Sequence, residues 1–312
     1  MHKTVLLEEA VSALNIKEDG IYVDATLGFG GHSGLILKKI KRGFLFAFDQ
    51  DKMAIDYSQK KLKEIGDNFE IIKSNFAYLQ EELEKRNIKK VDGFVFDIGV
   101  SSPQLDVTDR GFSYHNDSKL DMRMDTSRDF SAYNVVNEYT YQDLVRILRN
   151  YGEEKYSTSI AKNIIKARET KNIETTLELV DIIKNSIPEK AKKGSHPARK
   201  TFQAIRIEVN NELEVLDIAL TKALDMLNVG GRLAVITFHS LEDRLVKEKF
   251  HKYSAVDSNL SKLPFIPEEY LPKYKLIENI APSKEEIEEN NRARSARLRV
   301  IERIKDWYNE KE

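Results

Sequence analysis

The chain has 312 residues, enough for one large domain or two modest ones. A hydrophobic fraction of 41% with 32% charged residues describes a soluble globular protein, and a formal net charge of −1 means that any nucleic-acid surface must be a local basic cluster. The absence of cysteine excludes disulfides and thiolate metal sites, and no apolar run approaches the ~18 residues of a membrane span.

The opening stretch, Met1 to Leu7, runs directly into an amphipathic segment without signal-peptide architecture. With the missing cysteines, this fits a reducing cytoplasm. Thr4 to Leu14 reads as a short helix, and Ile21-Tyr22-Val23 as a strand. Then comes Asp24-Ala-Thr-Leu-Gly28-Phe-Gly30-Gly31-His32-Ser33-Gly34, followed by the helical spacing of Leu35 to Ile40. Glycines between a strand and a helix let a ligand lie against the main chain at the strand's carboxyl end. The spacing is not the dinucleotide fingerprint, because Ser33 stands where G-x-G-x-x-G needs its third glycine. A plain strand-to-helix turn is the alternative.

A second buried strand, Gly43 to Phe48, ends in Asp49-Gln50-Asp51. A carboxylate about 20 residues beyond the glycines suits a ribose diol. Asp49, the first residue off the strand, is the better candidate, and Asp51 reads as a surface-turn acid. Lys52 to Ile65 reads as a helix, Phe69 to Lys73 as a third strand, and Phe76 to Arg86 as a third helix. Phe76 suits either an adenine face or a helix-cap staple. Val91 to Asp97 is a fourth strand. Strands alternating with helices give a parallel, doubly wound sheet, with Asp24, Asp49, Asn75 and Asp97 on one rim.

From Leu105 to Lys200 no strand pattern appears. Helical stretches at 132–137, 141–151, 155–170 and 175–185 follow a polar segment, Asp106 to Arg128. The division expected is a discontinuous core, 1–104 and 201–312, with a helical insertion at 105–200. Apolar residues from Phe202 to Leu227, at steps of three and four, predict one long helix ended by Gly230-Gly231. Leu233 to Phe238 is a fifth strand, and His239 to Tyr253 leads into a helix. Lys275 to Ile280 and Ala296 to Ile304 are the final strands, with a loop between them.

The fourth strand leads into Asp97-Ile98-Gly99-Val100-Ser101-Ser102-Pro103-Gln104. An acid, two hydroxyls and a proline lie where the reactive end of a cofactor belongs. An exocyclic base amine is a poor nucleophile, so acceptors that hold its N–H groups in line with an activated methyl would supply most of the barrier reduction. An ordinary loop is the alternative for Ser101, Ser102 and Pro103.

With these residues the sequence resembles the bacterial 16S rRNA (cytosine-N4)-methyltransferases, the ribosomal small-subunit methyltransferase H family. The resemblance is carried by His2 to Leu7, the Gly-Phe-Gly-Gly-His-Ser loop and Phe96 to Asp106. It continues through Arg110 to Tyr114, Leu120 to Asp125, Phe202 to Asn210 and Phe238 to Arg244, in order over nearly the whole length. It implies a Rossmann-like class I α/β methyltransferase core with an inserted all-helical domain. The methyl donor would be S-adenosylmethionine, and the acceptor a cytosine N4 amine in the decoding region of 16S rRNA. By position, the donor would touch Gly30, Gly31, His32, Asp49, Phe76, Asp97 and Gln104. Asp97 with Ser101, Ser102 and Pro103 would orient the amine.

Arg110, Phe112, Tyr114 and Arg123 mix aromatic and cationic groups suited to a flipped base and its phosphates, or else pack the insertion. Lys190, Lys192, Lys193, Arg199 and Lys200 form one basic cluster, and Arg292, Arg294, Arg297 and Arg299 another. His239 and Glu242 fit structural roles better than a metal site. The expected partner is 16S rRNA, within the 30S subunit rather than naked, and no membrane. A nicotinamide-dependent oxidoreductase would want the full glycine fingerprint. A non-catalytic rRNA assembly factor would need no intact Gly30-Gly31, Asp49 and Asp97 set.

Overall fold

The computed structural model describes residues 3–99, 110–256, 259–262 and 264–306. By internal contacts the chain divides into two units, Met1–Gly99 with Leu213–Glu312, and Val100–Glu212.

The first unit is built on a seven-stranded sheet of order β3-β2-β1-β4-β5-β7-β6. Its strands are β1 (Ile21–Asp24), β2 (Phe44–Asp49), β3 (Phe69–Lys73), β4 (Val91–Asp97), β5 (Leu227–Thr237), β6 (Tyr274–Ile280) and β7 (Arg297–Arg303). The first five run parallel, and β7 lies antiparallel between β5 and β6. The order reverses at β1 and β4, and this switch point opens a crevice at the strands' carboxyl ends.

Strict alternation builds both faces. Phe46, Phe48, Phe94 and Phe96 pack on one side with Leu216, Leu220, Leu224 and Phe250. Leu45, Ala47 and Val95 pack on the other with Val11, Ile36, Leu37 and Leu62. Each fully buried Phe or Leu contributes about 1.5–3 kcal/mol. The covering helices are α1 (Leu7–Ala13), α2 (Gly31–Lys39), α3 (Lys52–Lys63) and α4 (Leu79–Glu84). A 3₁₀ turn, Phe76–Tyr78, leads into α4. Gly93 is a glycine because a Cβ there would come within 3.0 Å of the buried Tyr22 ring across the sheet.

The second unit is helical: α5 (Ala132–Glu138), α6 (Tyr141–Asn150), α7 (Ser157–Arg168), α8 (Thr176–Asn185) and α9 (Arg199–Asn210). Its core joins Val135, Leu144, Ile147, Ile160, Ile164, Leu179, Ile183, Phe202 and Ile205. An isolated antiparallel bridge pairs Lys119 with Thr175.

Three local expectations are corrected. The single long helix predicted from Phe202 to Leu227 is two, α9 and α10 (Glu212–Met226), separated by Asn211 in the left-handed region at φ 53. Asparagine tolerates that conformation better than other chiral residues. The glycine pair does not end the helix: β5 begins at Leu227 and passes through Gly230-Gly231, with a register shift opposite Val91 and Gly93. The segment before β7 is not a loop but α12 (Lys284–Glu289) and a 3₁₀ turn, Asn291–Ser295. By internal contacts α9 lies in the helical unit, which runs to Glu212. The remaining helix, α11 (Ser240–Ser254), follows β5.

Candidate active site

Three carboxylates stand at the carboxyl ends of parallel strands: Asp24 on β1, Asp49 on β2 and Asp97 on β4. Asp24 is buried, and its carboxylate accepts from the Thr26 backbone N–H at 3.0 Å and the Ser33 hydroxyl at 2.6 Å. It thereby ties the end of β1 to the first turn of α2. Asp49 accepts from the Gly28 N–H at 2.9 Å with one oxygen and the Asp51 N–H at 2.8 Å with the other. Asp51 caps α3 by accepting from the Met53 N–H, so the turn role read for it holds.

Gly28 and Gly30 have φ of 49 and 66, the left-handed region that favours glycine. Gly31 has a different reason: a Cβ there would fall 2.0 Å from Thr4 Oγ1. The loop is clamped from α3 by the Ser58 hydroxyl on the Gly28 carbonyl and by Lys61 on the Phe29 carbonyl. Gly30 starts α2 without a side-chain cap, and no acid lies in the first turn. Its leading N–H groups and positive dipole end therefore suit an anionic group such as a carboxylate.

Asp97 differs from the other two. Its backbone N–H donates to the Thr26 hydroxyl at 2.7 Å, but among the described residues no hydrogen bond reaches its carboxylate. Burial, then the charges of Asp24 and Glu242, push the carboxyl up to about 7. Burial likewise raises Asp24 to about 6, against the pull of the Ser33 and Thr26 hydrogen bonds, and raises Asp49. His32 is buried, and burial lowers it to about 4, so its ring is neutral. Its Nδ1 lies 3.8 Å from Asp97 Oδ2, and its buried Nε2 has no partner among the described residues.

Phe76 is half-buried after Asn75, which caps the 3₁₀ turn, and it meets Phe96 edge-on at 5.7 Å and 77°. Ser101, Ser102, Pro103 and Gln104 lie outside the described residues. His239 and Glu242 form a reciprocal capping box at the head of α11. The Glu242 carboxylate accepts from the Phe238 and His239 N–H groups, and the Glu242 N–H donates to His239 Nδ1.

In the helical unit, the Arg110 guanidinium donates to the Arg123 and Met124 carbonyls. Arg123 grips Asp121 with Nε and Nη2, at 2.8 and 2.7 Å. Phe112 is 6% exposed in the unit's core, so its face is not open to a base. Tyr114 is half-buried and stacks on His196. In the last basic cluster, Arg299 is spent on Asp243, at 2.8 and 2.9 Å. The sequence places Asp24 on the rim but assigns it no ligand contact, and it gives no role to Thr26 or Ser33, which hold Asp24 and the Asp97 backbone. The one signal for them was the departure from the dinucleotide spacing at Ser33.

Acids on three strand ends suit a ligand that carries both a ribose and positive charge. An uncapped helix N-terminus suits a carboxylate, and an orphaned buried imidazole nitrogen points to a missing polar partner. S-adenosylmethionine has all of these groups, and the residues present fit it. With the antiparallel seventh strand, sheet order and site define a Rossmann-like, S-adenosylmethionine-dependent methyltransferase. The chain belongs to the MraW methylase family, whose model matches residues 1–304. A relative from Exiguobacterium sibiricum, named ribosomal RNA small subunit methyltransferase H, is 54% identical over 98% of this chain and 99% of its own length. Among solved structures, an rRNA methylase from Streptococcus thermophilus aligns over 98% of this chain and 99% of its own, at 13% identity and a TM-score of 0.44. A putative methyltransferase from Streptococcus mutans in complex with SAH aligns over 97% and 99%, at 14% identity and a TM-score of 0.42.

Proposed function

We propose that this methyltransferase transfers a methyl group to the exocyclic N4 amine of a cytosine in the decoding region of 16S rRNA. The observation that carries the reading is the 54% identity, over nearly both full lengths, to a relative named for methylation of small-subunit ribosomal RNA.

S-adenosylmethionine, when bound, supplies a methyl group already activated on a sulfonium. The chain's own residues do the rest. Asp49 accepts from ribose hydroxyls with the lone pairs left by Gly28 and Asp51. Gly30, Gly31 and the first turn of α2 receive the carboxylate, and His32 Nε2 gains the partner it lacks. Phe76 offers its free face to the adenine, and Gln104 completes the donor contacts. Asp97, whose carboxylate has no donor among the described residues, accepts an amine N–H and takes up a proton near neutral pH. Ser101, Ser102 and Pro103 hold the amine beside it. Tyr114, Arg110 and Arg123 present the RNA, and Phe112 supports them from the core.

The acceptor is the small subunit within the cytoplasm rather than naked RNA. No helix among the described residues is long and apolar enough to cross a membrane. Small subunits lacking the modification, incubated with labelled donor and digested to nucleosides, should yield N4-methylcytidine. Donor binding with no labelled RNA would favour the assembly-factor alternative, and naked 16S rRNA serving as the better acceptor would overturn the subunit reading.

A further inference from the structure

A second constellation lies within the helical unit. Tyr114 stacks on His196 with ring centroids 4.5 Å apart and planes at 19°. His115 closes a triangle with both rings, at 4.6 Å from Tyr114 and 5.1 Å from His196. The triangle is rooted in the core, where Tyr114 meets the buried Phe202 edge-on at 5.6 Å, and it reaches the surface at the exposed His115.

The chain around His196 is strongly basic. Between Lys184 and Lys200 there are six basic residues and one acid, Glu189. Lys192 pairs with that acid, and Lys200 donates to the Glu153 carbonyl. Lys190, Lys193 and Arg199 are exposed, and among the described residues none of their side chains forms an ion pair or hydrogen bond. Lys193 and Arg199 each stand three residues from His196, so chain geometry keeps both within about 11 Å of it. Burial first, and then His115 and Lys184, lower the proton affinity of His196.

We infer that Lys193 and Arg199, on either side of His196 in the Tyr114–His115–His196 cluster, together with Lys190 in the same basic stretch, form an RNA-docking patch that binds phosphates of a single-stranded segment. Unpaired cations are the least costly partners for phosphates, because no existing ion pair has to be broken. Rings beside cations suit unpaired bases, which stack on aromatic side chains. Binding here is largely independent of base sequence, so the patch holds the substrate without selecting the cytosine. The inference rests on the reading of the chain as an RNA methyltransferase.

The test is binding of a labelled single-stranded RNA oligonucleotide to the full chain, followed by anisotropy over a series of salt concentrations. The variant K190A/K193A/R199A is compared with a control of equal charge loss on the sheet unit, K39A/K60A/K247A. The first should bind RNA 10- to 100-fold more weakly, with the slope of log Kd against log salt reduced by about 2. Its affinity for S-adenosylmethionine and its melting temperature should not change, and the control should keep the wild-type slope. Equal slopes in both variants, equal losses in both, or no salt-dependent RNA binding by the wild type would overturn the patch. A wild-type protein that binds RNA through these cations yet methylates no RNA would overturn the enzymatic reading and leave the patch standing.

Discussion

The Ser33 hydroxyl donates to the Asp24 carboxylate at 2.6 Å, from the position where a dinucleotide-binding loop keeps its third glycine. One side chain thus explains both the failed fingerprint and the geometry of the pocket floor. Ser33 is fully buried, and it fixes an acid that burial would otherwise leave nearly unsupported. Ser33→Ala should lower stability by about 1–3 kcal/mol, the usual cost of an unsatisfied buried polar group. It should also weaken donor binding. Ser33→Gly completes the glycine spacing and should confer no nicotinamide binding, because Asp24 loses the same donor. Chemical denaturation and titration with both cofactors check this; unchanged stability in both variants would rule it out.

Much of the first unit was legible because its strands alternate and its turns are marked. Phe44 to Asp49 places Leu45 and Ala47 on one face and Phe46 and Phe48 on the other, and the acid falls at the rim. The break at Asn211 was not legible, since the apolar stripes of α9 and α10 stay in step across it. Nor was α12, whose Lys-Glu-Glu-Ile-Glu-Glu sequence has no apolar face. Its only local signal is the Ser283 cap, and its support is tertiary: Glu286 accepts the Leu6 N–H at 2.8 Å. For Phe112, a motif rich in arginine and aromatic residues gives no sign of which ring is turned inward.

The glycines of the loop should separate by cause. Gly31→Ala forces its Cβ onto the Thr4 side chain and should destabilise the fold by ~1–3 kcal/mol or more, as overpacking does. Adding Thr4→Gly should recover much of that loss, because the overlap is with that side chain. Gly30→Ala should cost about 1–2 kcal/mol from its left-handed backbone, and Thr4→Gly should not rescue it. Thermal melts of the single and double variants test the distinction.

Asp49 and Arg110 should fail in different ways. Asp49→Ala removes the acceptor for the Gly28 and Asp51 N–H groups and should weaken donor binding, whereas Asp49→Asn should retain part of it. Arg110→Ala releases the Arg123 and Met124 carbonyls within the helical unit, so it should spare donor affinity and lower methyl transfer to RNA. Equal losses of donor affinity in calorimetry would show this division of roles to be wrong.

The acid cluster sets a pH dependence of definite sign. Asp24 and Asp97 titrate at about 6 and about 7 in the folded protein, both above their ordinary value of 3.8. Between pH 4 and 7 the folded state therefore holds more protons than the unfolded one. His32, lowered to about 4 from its ordinary 6.5, holds fewer protons folded than unfolded over part of that window and offsets some of the effect. The ligand-free protein should therefore lose stability as pH rises, by on the order of 2 kcal/mol between pH 5 and 8. Asp121 and Asp243, held down by Arg123 and Arg299 against burial, act below pH 4 and do not offset it. A cationic ligand favours the ionised carboxylates, so donor binding at pH 7 should release protons. Calorimetry in phosphate and in Tris buffer should then give different apparent enthalpies, their difference scaling with the buffers' ionisation heats. Equal enthalpies would mean that Asp97 is already ionised before the donor arrives.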